Sequence, residues 1–154
     1  MPAPTVLSRC VFVAALFAAT AAIAGEPPEF LSSPDPAAAS LPFSEAVRSG
    51  DLLFLSGQIG TAEGKNELVP GGIAAESDRI LQRIEDVLKR HGASMRDVIK
   101  CTVFLADIKG WPAFNEVYRR HFQTPYPARS ALAASGLAMN ARVEVECIAQ
   151  APKR

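Results

Sequence analysis

With 154 residues the chain has room for one domain and little more. Its composition, 49% hydrophobic and 21% charged, is that of an ordinary globular protein. A formal net charge of +0 gives no basis for an electrostatic grip on nucleic acid or on anionic lipid, so neither is expected as a partner.

In chain order, residues 1–24 come first, running from charged to apolar to small. Arg9 and the terminal amine lead, Val11 to Ala22 is broken only by Thr20, and Ala22-Ile23-Ala24 closes the segment. This is the layout of a secretory signal peptide, with an apolar run too short to span a bilayer. Cys10 precedes the run, which argues against a lipoprotein signal. Cleavage after Ala24 is expected to leave an exported chain, periplasmic or secreted, with no stable membrane span and with Cys101 and Cys147 as its cysteines. There is no CxxC or CxxH spacing and the histidines are His91 and His121 alone, so no metal site is expected.

Residues 25–40, with Pro27-Pro28 and Pro34-Asp35-Pro36, read as an extended leader with one short strand near Phe30-Leu31. The domain proper is expected over 41–154. Phe43 to Val47 and Asp51 to Ile59 pattern as two strands turned at Arg48-Ser49-Gly50. In the second, Leu53, Leu55, Gly57 and Ile59 alternate with Leu52, Phe54, Ser56 and Gln58. Ile73 to His91 is an amphipathic helix, with Ile80, Ile84, Val87 and Leu88 at helical spacing and Gly92 just past its end. Val98 to Leu105 is a strand whose inner row reads Ile99, Cys101, Val103 and Leu105. A second helix is expected over about Trp111 to Phe122, with Pro112 in its first turn and a stripe of Phe114, Val117, Tyr118, His121 and Phe122. Ala128 to Ala133 and Arg142 to Ala149 close the chain as strands.

Two amphipathic helices need one apolar sheet face to cover, and no third helix remains for the other face. That open face is expected to carry Phe54, Val98, Phe104 and Ile148, which suggests association with other subunits.

From the residues alone, Arg129 in Pro127-Ala128-Arg129-Ser130 reads either as a solvated surface arginine or as a guanidinium fork for a carboxylate. Glu144 and Glu146 share a strand face. They read either as structural ion pairs, with Lys100 and Arg129 as partners, or as catalytic carboxylates. Ser56-Gly57-Gln58 ends a strand at a glycine, where a ligand can approach the backbone. Cys101 and Cys147 fall on core faces and read as inert thiols, with a disulfide after export as the alternative.

The ordered segments Leu41–Val47 (LPFSEAV), Leu55–Ile59 (LSGQI), Lys100–Leu105 (KCTVFL) with Asp107, Phe114–Tyr118 (FNEVY), Pro127–Ser130 (PARS) and Val143–Ala149 (VEVECIA) resemble the reactive intermediate deaminase (RidA, YjgF-type) family over about residues 30–150. The resemblance implies a chorismate-mutase-like α+β fold, one mixed sheet with two helices packed on one face, forming a homotrimer with clefts between subunits. It implies cofactor-free hydrolysis of 2-imino acids or their enamines to 2-keto acids and ammonia. Arg129 would bind the substrate carboxylate and Glu144 would place or polarise the attacking water. Phe43, Ser56, Gly57, Lys100, Asn115 and Ala131 would line the cleft. Phe43 stands where many members have Tyr, and Ala131 where many have Cys. The alternative is a non-catalytic trimer of the same fold that binds a small carboxylate or a partner protein.

Overall fold

The computed structural model describes residues 26–153; the expected signal segment, 1–24, lies outside them. Strands β1 (Glu29–Leu31), β2 (Ala46–Ser49), β3 (Leu52–Leu55) and β4 (Gln58–Ile59) precede helix α1 (Gly72–Arg90). Strand β5 (Val98–Leu105), helix α2 (Trp111–His121), β6 (Ala128–Ala133) and β7 (Val143–Gln150) follow. They build a 7-stranded mixed sheet in the order β1-β2-β3-β7-β5-β6, with β4 also paired to β7. The β5–β6 pair is parallel, because α2 carries the chain back across the sheet between them, and the other pairs are antiparallel. Among the described residues no helix is long and apolar enough to cross a membrane.

Both helices cover the same sheet face. Ile80, Leu81, Ile84 and Leu88 of α1 and Phe114 and Val117 of α2 pack into one core with Leu53, Val103, Val143 and Val145. Burying each such side chain stabilises the fold by about 1.5–3 kcal/mol. The segment expected as a leader joins the sheet: Phe30 pairs with Val47, and a short 3-10 turn at Pro36–Ser40 follows. The β2–β3 hairpin turns on Gly50 and Asp51, since Ser49 pairs with Leu52, and Gly50 takes φ 57.

Two expected strand faces are corrected. A bulge lies between Val98 and Lys100 of β5, so Val98 pairs with Ala149 on the core face while Ile99 turns outward, 44% exposed. The strand expected over residues 51–59 breaks at Ser56-Gly57. Beyond the break Gln58 faces the core, where its Oε1 accepts from Arg83 Nε at 2.9 Å, and Ile59 faces the open side beside Glu144. The open face therefore carries a row of Phe30, Val47, Phe54 and Ile148 in direct cross-strand register.

The third correction concerns the cysteines. Cys101 and Cys147 face each other in the β5–β7 register and are joined by a disulfide, not left as inert thiols. The two central strands place both residues on the core face at the same level, a position that periodicity in either strand alone cannot reveal.

Candidate active site

Arg129 lies on edge strand β6, in register with Cys101, and so points to the helix-covered side. Its NH2 group donates to Asn115 Oδ1 at 2.7 Å. The guanidinium carbon sits 4.5 Å from the ring centre of Trp111, 5.6 Å from that of Phe114 and 4.3 Å from that of Tyr118. These aromatics recur along one stripe of α2, and the parallel return of β6 lays the arginine over it. Desolvation lowers the Arg129 pKa first, with the charge of Arg119 adding to it, yet a guanidinium remains charged at any working pH. Its Nη1 is buried without a hydrogen-bond partner, as is the Tyr118 hydroxyl. Burial pushes the Tyr118 phenol up to about 12, so it stays a neutral donor. A guanidinium with one arm held by Asn115 and the other unmatched keeps charge and N–H donors for an anion. Beside it a cavity of about 260 Å³ is lined by Asn115, Tyr118, Arg119, Tyr126, Pro127 and Arg129. Ala131, two residues along β6, faces the same side and packs on the core edge.

Glu144 lies on the opposite face, paired with Phe104 and Ile59. Gly57 lies against its carboxylate. Ser56 Oγ donates to Ser44 O at 2.7 Å, which brings the backbone next to Phe43 to the same corner, and Phe43 is 57% exposed. Burial raises the Glu144 pKa, and the neighbouring charge of Glu146 raises it further. A carboxylate with a raised pKa on a half-open face is a candidate proton acceptor.

The expected cleft residues thus fall into two groups, Arg129, Asn115 and Ala131 on one side of the sheet, and Phe43, Ser56, Gly57 and Glu144 on the other. Lys100 shares the open face with the second group but lies four residues along β5 from Phe104, the partner of Glu144. It is exposed on the open face beside Ile148 and Ala128, two residues along β5 from the level of Glu146. Of the two readings of the Glu144–Glu146 pair, the structural one, ion pairs with Lys100 and Arg129, is not formed; Arg129 reaches Asn115 and the α2 rings instead. Tyr118, expected in the buried stripe of the second helix, and Trp111 at the start of that helix are the platform of the arginine. The aromatic spacing of Trp111, Phe114 and Tyr118 was the available signal, but the strand that meets it cannot be read locally. No group of metal-ligating side chains forms among the described residues.

Residues 33–151 match the family model described as Endoribonuclease L-PSP. The chain belongs to the reactive intermediate deaminase family. A 2-iminobutanoate/2-iminopropanoate deaminase of Bos taurus is 39% identical over 121 residues, covering 79% of this chain and 88% of the relative. Yeast Mmf1 superposes with a TM-score of 0.74 at 34% identity, covering 82% of this chain and 100% of that one. RidA from an Antarctic Psychrobacter gives a TM-score of 0.68 at 29% identity over 79% of this chain and 93% of that one. The mixed sheet with two helices on one face is the chorismate-mutase-like fold of these RidA-type proteins.

Proposed function

We propose that this protein is a cofactor-free deaminase of 2-imino acids and their enamine tautomers, acting as a homotrimer at clefts where Arg129 of one copy meets Glu144 of the next. The observation that carries the reading is the division of the site. Arg129 and Glu144 are built on opposite faces of one sheet, so a substrate held by one cannot reach the other within a single copy. A second copy laid on the open apolar face would bring the two halves together. The exposed row through Phe30 and Phe54 supports such a contact.

The chemistry asks for positioning more than for activation. The imine carbon is already electrophilic. Arg129 holds the substrate carboxylate, and Glu144 takes a proton from the water whose oxygen adds to that carbon. The same carboxyl returns that proton to nitrogen, giving a carbinolamine; it then takes the hydroxyl proton and passes it to the amino group, so that the C–N bond breaks as the carbonyl forms and a 2-keto acid and ammonia leave. The names of curated relatives, 2-iminobutanoate/2-iminopropanoate deaminase among them, support this class of substrate.

The export expected from residues 1–24 remains part of the proposal. The Cys101–Cys147 disulfide supports it, because such bonds persist in oxidising compartments. A second reading, a carboxylate-binding trimer without turnover, draws on Phe43 and Ala131, which withhold a hydroxyl and a thiol from the cleft. An assay in which an amino-acid oxidase generates imines, followed as keto-acid release, separates the two. Acceleration by the folded trimer supports the deaminase. Arg129-dependent binding of 2-keto acids without acceleration of any imine supports the binding protein.

A further inference from the structure

Next to the arginine, with Trp111 as a shared wall, lies a second cavity of about 530 Å³ lined by Ile108, Lys109, Trp111, Pro112 and Ala131. We infer that this cavity receives the side chain of the substrate and selects 2-imino acids with large apolar side chains over those with a methyl or ethyl group. The inference rests on the deaminase reading above. Three observations carry it.

Trp111 is the wall common to both places, since the Arg129 guanidinium stands 4.5 Å from its ring centre and the same residue lines the cavity. Ala131 lies two residues beyond Arg129 on the same face of β6, a step of about 6.6 Å along a strand. In a leucine-type imino acid the carboxylate carbon and the last side-chain carbon are about 5 Å apart. A carboxylate held at the guanidinium beside Trp111 leaves a side chain of that length within reach of the cavity along the shared Trp111 wall. Finally, four of the five lining residues are apolar, and Lys109, the charged one, is exposed. Ala131 contributes only a single methyl to the cavity wall. A methyl or ethyl group would leave most of the space to water.

Each buried methylene improves binding or turnover by about fourfold. For the imine formed from leucine against that formed from 2-aminobutyrate, wild-type kcat/KM should therefore differ by at least about tenfold. Ala131→Leu narrows the cavity and Ile108→Asp puts a charge at the exposed wall. Each should lower that ratio at least about fivefold, whatever it does to the absolute rates. Ile108 is 51% exposed, so its variant serves if the other fails to fold. A ratio near one or below in the wild type, or a ratio unmoved in both variants, overturns the side-chain pocket and leaves the deaminase standing. Hydrolysis of neither imine by folded trimer overturns both.

Discussion

Gly57 stands directly against the carboxylate of Glu144: a Cβ at that position would overlap Glu144 Oε1 and press on Cδ at 3.1 Å. The glycine is needed for space. Gly57→Ala has only the flexible end of Glu144 to displace, so the fold should survive with a stability change within about 1 kcal/mol. Moving the carboxylate by an ångström should lower kcat/KM by about tenfold to a hundredfold. Imine turnover and a thermal melt on the same sample check this; a folded Gly57→Ala protein with full turnover would remove Glu144 from the site.

Arg129 offers a planar fork, and lysine retains only its charge. Losing charge-assisted hydrogen bonds worth roughly 1.5–3 kcal/mol corresponds to about tenfold to a hundredfold in kcat/KM. Arg129→Ala should show at least that loss, and Arg129→Lys should recover part of it. Circular dichroism should show the fold retained, since the residue sits on an edge strand. The aromatic platform predicts a subtler effect: Trp111→Leu should raise KM more than it lowers kcat, because it loosens the arginine without removing it.

Glu144 has its pKa raised in the folded chain, first by burial and then by Glu146. The folded state thus holds the Glu144 proton more tightly than the unfolded one, and ionising this group costs stability as pH rises through the raised value. Glu144→Gln should be more thermostable than wild type at neutral pH. That advantage should shrink on acidification and vanish below the ordinary carboxylate pKa of 4.5. Activity should run the other way: wild-type kcat/KM should rise with pH through an apparent pKa above the usual carboxylate range, and the glutamine variant should lack that limb. Melting curves and pH–rate profiles on the two proteins decide it.

The Cys101–Cys147 bridge closes a loop of sequence separation 46 between central strands. Removing a link over such a loop costs about 2–4 kcal/mol of unfolding free energy. Protein recovered from the medium or periplasm of a secreting host should start at Gly25, show no free thiol when unfolded without reductant, and lose stability by about that amount on reduction. A protein left in the cytosol with its first 24 residues attached and both thiols free would contradict the proposed export.

The sequence made the helices and the core strands legible because each writes its burial as a local period: Ile80, Ile84 and Leu88 along α1, Val143, Val145 and Cys147 along β7. It misled where a single residue broke the period. Ile99 is the extra residue of a bulge, and from there toward the strand start inside and outside exchange. Ser56-Gly57 interrupts a strand and turns Gln58 inward. Arg129 and Glu144 were both legible as candidates, but not their sides. The side of β6 follows from its parallel pairing with β5, a long-range fact with no local trace, so local patterning leaves Arg129 free to reach Glu144 although it faces Asn115 and Trp111.

The shared site is tested most directly by mixing two inactive variants. Arg129→Ala and Glu144→Gln chains, each trimeric and each nearly inactive alone, are co-refolded in equal amounts. In randomly mixed rings about a quarter of the clefts combine an intact Arg129 from one copy with an intact Glu144 from its neighbour, so about a quarter of wild-type activity should return. Mixed trimers, verified by mass, that remain as inactive as their parents would contradict a site shared between copies.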